Sequence, residues 1–147
     1  MLPLHVSNGH CATAVIERAG IPGQAMAWCD PLYDGPVPGD VSDDELLRVR
    51  ARFLAPSEDA TAEVVADLQG WRRAIDHDDH YDELVLWFEH DLFDQLNLIQ
   101  LLAHVAQRGG SGKPVSLICI DSYPGHPHFK GLGELAPADL AELFPTR

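Results

Sequence analysis

Between residues 84 and 120 the chain runs apolar, amphipathic and apolar again, and no other stretch restricts its fold as tightly. Leu84-Val85-Leu86-Trp87-Phe88 is apolar without alternation and stops at Glu89-His90-Asp91. A helix-length segment follows from Leu92 to about Gln107. Its Leu92, Leu96, Ile99, Ala103 and Ala106 recur at helical spacing and read as the inward stripe, with Asp94, Asn97, His104 and Arg108 outward. Gly109-Gly110-Ser111-Gly112 reads as its stop, and residues 115–120 as a second apolar strand closed by Asp121. Strands apolar on both faces belong in a parallel sheet covered by helices, and two of them joined through a helix make a βαβ unit. The expected class is α/β: a Rossmann-like three-layer sandwich with a short, mainly parallel sheet flanked by helices.

The N-terminal half fits the same scheme. Residues 2–6 read as a strand, Ser7-Asn8-Gly9-His10 as a tight turn, and residues 11–19 as a helix ended by Gly20. Residues 24–29 form a short second strand. The loop after it, from Asp30 to Gly39, holds three prolines and two glycines and cannot be regular. Ser42 followed by Glu45 is a capping-box pattern that opens a helix ending at Leu54. A second helix runs from about Ala60 to Ile75, and residues 76–82 form a polar break. The tail from about residue 122 reads as partly irregular, with a turn at 123–127 and a short helix over 137–144. At 147 residues, one α/β domain spanning 1–147 accounts for the whole chain.

Charge narrows the partners. With 23 acidic and 10 basic residues the formal net charge is −13. A phosphate backbone requires a basic footprint, so nucleic acid is excluded as a partner, and an anionic membrane surface is disfavoured for the same reason. A small phosphorylated molecule is still admissible, because N–H groups at a helix start hold an anion locally. No apolar run reaches membrane-spanning length and no leader pattern is present, which makes a cytoplasmic protein the expectation. Cys11, Cys29 and Cys119 lie far apart in apolar surroundings and read as small buried hydrophobes rather than a redox pair or zinc knuckle. Homo-oligomerisation is left open, and the residues name no cofactor.

Open parallel sheets bind ligands outside the carboxyl ends of their strands. That rule gathers four distant segments: 7–10, 29–35, 89–95 and 121–128. Asn8, Gly9 and His10 stand where an anion would sit on a helix start, although Asn8 also fits a capping role. Glu89, His90 and Asp91 form the densest cluster, suited to general acid/base work or to a divalent ion, although Asp91 with Asp94 also fits a helix cap. Trp28, Asp30, Asp34, Gln95 and Asp121 complete the candidate ligand-binding set, Trp28 being core or pocket wall. The tract Asp76-His77-Asp78-Asp79-His80 precedes its strand and reads as a solvated linker. His126-Pro127-His128 reads as a proline turn or a ligand element.

Three segments carry a family resemblance: His5-Val6-Ser7-Asn8-Gly9; Trp28-Cys29-Asp30 with Asp34-Gly35-Pro36-Val37; and residues 86–96, Leu-Trp-Phe-Glu-His-Asp-Leu-Phe-Asp-Gln-Leu. Together they resemble a bacterial family named domain of unknown function 1835, over nearly the whole chain. Relatives commonly carry an acid after Asn-Gly, where this chain has His10. They often continue past the equivalent of residues 132–135 into a helical domain, so the chain looks like a stand-alone or shortened form. The resemblance implies the fold and the residues to watch, and it implies no activity.

Three functions are consistent with this reading. The first is binding of a phosphorylated or nucleotide-like small molecule at the strand ends. The second is metal-dependent hydrolysis or group transfer through the Glu-His-Asp cluster. The third is a regulatory or protein-interaction module without chemistry, marked by an exposed apolar patch or a symmetric dimer.

Overall fold

The computed structural model describes residues 1–107 and 112–147. The expected helix stop at Gly109, Gly110 and Ser111 and the outward placement of Arg108 lie outside the described residues, and of Asp78 only the backbone is described. Four strands, β1 (Leu4–Ser7), β2 (Gln24–Ala27), β3 (Leu84–Glu89) and β4 (Val115–Ile120), form one sheet in the order β2-β1-β3-β4. All three pairings are parallel. Five helices cover it: α1 (His10–Arg18), α2 (Asp43–Leu54), α3 (Thr61–Asp76), α4 (Leu92–Gln107) and α5 (Pro137–Leu143). This is the three-layer α/β sandwich that the double apolar run predicts.

The two faces of β3 explain why it is apolar throughout. Leu84, Leu86 and Phe88 pack with Trp28, Ile75, Leu98 and Leu101 under α3 and α4. Val85 and Trp87 point the other way, onto Val15 and Ile16 of α1 and Leu140 of α5. Residues 84–88 are all fully buried. His5 joins the α1 side: its Nδ1 accepts from Trp87 Nε1 at 3.1 Å, while its Nε2 bonds the Pro22 carbonyl at 2.9 Å. Those partners fix a neutral imidazole protonated on Nε2, and burial pushes its pKa down.

The helix starts follow local chemistry. Ser42 and Glu45 form the expected reciprocal capping box on α2. Gly20, at φ +68° just past α1, takes the left-handed conformation that ends helices.

Helix α4 departs from expectation. Its buried residues are Asp94, Asn97, Leu98, Leu101, His104 and Val105, while Leu92 and Ile99 are 62% and 63% exposed. Most of the stripe read as inward faces solvent, with Leu96 half-buried, while Asp94, Asn97 and His104, read as outward, are inside. Each buried polar group has a partner that repays its loss of water. Asp94 accepts from Asn8, Asn97 brackets the backbone of Asp30, and His104 meets Asp76 at 2.8 Å. Asp43 stands 3.6 Å from the same imidazole, and these two acids raise the His104 pKa.

The cysteines also depart from expectation: Cys11 and Cys119 are exposed and Cys29 is half-buried. Cys11 lies on the solvent side of α1, and Cys119 on the edge strand. Among the described residues no helix is long and apolar enough to cross a membrane.

Candidate functional site

In the order β2-β1-β3-β4, the chain leaves β1 toward one side of the sheet and leaves β3 toward the other. The crevice between their carboxyl ends is the topological switch point, where open α/β sheets take ligands. Asn8 and Gly9 follow β1 there, and Glu89 ends β3.

Three carboxylates converge at this point. Glu89, Asp91 and Asp94 each place an oxygen within 4.8 Å of the other two. Strand β3 delivers Glu89 at its last residue. Asp91 caps α4, its Oδ1 accepting from Asp94 N–H at 3.0 Å. One helical turn further in, Asp94 takes the Glu89 backbone N–H on Oδ2 at 2.6 Å and the Asn8 amide on Oδ1. Asn8 therefore ties the end of β1 to the start of α4 and does not cap α1, whose N-cap Gly9 offers no side chain. On the far side, Glu89 Oε1 accepts from the backbone N–H of Leu132. Gln95 holds the strand end by donating to the Glu89 carbonyl at 2.8 Å.

The electrostatics are one-sided. Burial, with the charges of Asp94 and Asp91 added to it, lifts the Glu89 pKa to about 7. Burial likewise raises that of Asp94, against the hydrogen bond from Asn8. Among the described residues no Lys or Arg forms an ion pair with any of the three. The first turn of α1, which follows Asn8 and Gly9 at the same end of the sheet, contains no acid and has no side-chain cap, so the positive end of its dipole lies at this end of the sheet.

The other candidates divide. His10 begins α1 and is exposed, as is His90, and among the described residues neither joins the three-carboxylate group. Asp121 is exposed and accepts from Ser122 Oγ. Two residues leave the ligand-binding set: Trp28 takes the core position its reading left open, and Asp30 is a correction. Trp28 is fully buried, its Nε1 bonded to Gln100 and its ring packed against Trp71 and His104, so no face is left for a ligand. Asp30 is only 2% exposed and is gripped by Arg50, with Nε and Nη2 both on its carboxylate at 2.6–3.1 Å. Arg50 also donates to the carbonyls of Pro31, Asp34 and Pro36, which makes it the staple of the proline-rich loop. Asp34 contributes its carbonyl to that staple, and its side chain is exposed. Asp94 is the site residue that helix patterning placed on the wrong face. Its signal was the spacing Asp91-x-x-Asp94, which serves a cap and a cluster equally well.

An apolar groove lies elsewhere. It measures about 400 Å³ and runs between α4 and the loop before α2, lined by Leu32, Val37, Val41, Leu96, Ile99 and Ala103 with His104 and Asp43. A second groove of about 330 Å³ opens at the opposite edge of the sheet, beside His77, His80 and Tyr81. Neither includes Asn8 or Glu89. Comparison with protein-family models found no match, and searches of curated proteins and of solved structures found none either.

Proposed function

We propose that the switch-point site binds a small phosphorylated or nucleotide-like molecule together with a divalent cation. The observation that carries this reading is the convergence of Glu89, Asp91 and Asp94 without a basic partner, at the same end of the sheet as the uncapped start of α1. Three carboxylates repel a bare phosphate. A hard cation held by their oxygens reverses that sign, and magnesium, manganese or calcium suits an all-oxygen donor set better than zinc. The N–H groups of α1 then supply the second contact to the anion. Membership of the domain of unknown function 1835 family belongs to the same proposal and rests on the three quoted segments. The reading stops at binding, since His90 stands exposed and apart from the carboxylates.

Thermal unfolding with millimolar magnesium or manganese, with and without ADP or a sugar phosphate, tests it. A cation at a hundred times its dissociation constant stabilises by about 2.7 kcal/mol, which for a chain of this size raises Tm by roughly 5–10 °C. Asp94→Asn should abolish the shift, and a phosphorylated ligand should add to it only when the cation is present. No shift with any cation would sink the proposal. A ligand that binds equally well in chelator would remove the cation from it.

Gly131 supplies a sharper probe. A methyl group there would lie 2.8 Å from Glu89 Oε1 and 3.1 Å from its Cδ. Gly131→Ala should displace the carboxylate from the Leu132 N–H and weaken cation affinity by about tenfold, as loss of a group that orients a ligand usually does. Calorimetric titration would register it. Unchanged affinity would mean that Glu89 is not a ligand.

A further inference from the structure

Among the described residues, much of the outer face of α4 is open to solvent. Leu92 and Ile99 project into it and Leu102 is 41% exposed, while Phe93 packs against Tyr33 on the other flank. Beside this face β4 ends the sheet, pairing among the described residues with β3 alone. Its register with Leu84, Leu86 and Phe88 puts Val115, Leu117 and Cys119 on the α4 side, and all three are exposed. Gln95 of α4 reaches Cys119 Sγ at 3.5 Å, and Leu102, two turns on, lies along the same flank. One apolar strip thus runs from the helix onto the edge strand.

Natural sheets blunt an open edge with lysine, proline, a bulge or brevity. At the other edge β2 is short, with only four residues. Strand β4 has six residues, Val-Ser-Leu-Ile-Cys-Ile, with no charge and no proline within the strand itself, Lys113-Pro114 lying just before it. An unguarded edge of this kind is a pairing surface.

Charge selects the occupant. The chain carries a net charge of −13, yet β4 has no charged residue and the one acid within α4, Asp94, is buried. A basic partner would need acids on the strip to recognise it. A second copy needs the reverse, a face where two like-charged molecules meet with no charge between them, and this strip provides it.

We propose that two copies of this chain associate through β4, paired antiparallel about a two-fold axis normal to the sheet. The axis places both α4 helices on one side and joins two four-stranded sheets into one of eight strands. Residues opposite each other in an antiparallel pair share a face, so Val115, Leu117 and Cys119 of each copy meet those of the other. Leu102 flanks the seam.

Sedimentation equilibrium of the full chain under reducing conditions, which exclude a Cys119 disulfide, tests this directly. The expected species has twice the 16.1 kDa chain mass and tightens as salt screens the repulsion between copies. Leu117→Lys places the usual edge guard at an exposed position and should weaken dimerisation at least thirtyfold, roughly the effect of losing one central contact. Circular dichroism confirms that the variant folds, and Val115→Lys serves if it does not. Hydrogen exchange over residues 115–120 should slow with rising protein concentration. A monomer at all concentrations, or a dimer that weakens with salt, would overturn the proposal. So would a dimer that survives Leu117→Lys but dissociates in Ile99→Lys, because the seam would then lie at the α2–α4 groove.

Discussion

Replacing Arg50 with Met should lower the unfolding free energy by about 3–5 kcal/mol, the usual consequence of stranding one member of a buried ion pair. Both partners are almost fully buried, at 1% and 2% exposure, so water cannot take over the vacated bonds. The guanidinium also holds three loop carbonyls that would lose their donor. Arg50→Lys should recover little, since a single ammonium cannot span both the carboxylate and the carbonyls. Combining Arg50→Met with Asp30→Asn removes the stranded charge and should return a substantial part of the loss. Urea unfolding of the four proteins in that cycle gives the coupling. A single-variant loss below about 1 kcal/mol, the range of surface pairs, would show that the staple is dispensable.

Glu89→Gln should act in the opposite direction and depend on pH. The folded-state pKa of Glu89 is raised from 4.5 to about 7. The native protein therefore keeps a proton that the unfolded chain releases above pH 4.5. Unfolded chains bind fewer protons across that window, so stability falls as pH rises from 4.5 toward 7 and levels off beyond it. Asp94, also raised, pulls the same way. Below pH 4.5 the variant and the wild type should unfold alike. At pH 8 in chelator the variant should be the more stable by at most about 3 kcal/mol, the free-energy equivalent of that shift. Added magnesium should then stabilise the wild type and leave the variant unmoved. A variant less stable than the wild type at pH 8 in chelator would mean that the carboxylate is not under electrostatic stress.

Such stress at the end of a well-packed strand is a local conflict within an otherwise consistent fold. It also explains which parts of the molecule were legible in the residues. Strand β3 is apolar because both of its faces are covered, and that run alone establishes a parallel sheet between helix layers. The switch point follows from strand order, and Asn8, Glu89 and Asp91 follow from the switch point. Trp28 and Asp30 fit the same rule by position, yet they end in the core. What decides their fate is Gln100 and Arg50, 72 and 20 residues away in sequence, and no local pattern reports a partner at that range. Cys119 looked buried because its strand is apolar. An edge strand with one uncovered face has the same composition as a central one.

The orientation of α4 has a consequence for how this chain avoids misfolding. The helix carries two apolar stripes, one on Leu98, Leu101 and Val105 and the other on Leu92, Ile99 and Leu102. Oil-and-water bookkeeping alone leaves it with rotational degeneracy, since either stripe would sit on the sheet. Asp94, Asn97 and His104 break the tie, because a wrong rotation takes each of them from its buried partner. Replacing all three with leucine would keep the helix and lose its bearing. The polar contacts on which the site depends therefore also act as the key that lets this helix dock in a single azimuth.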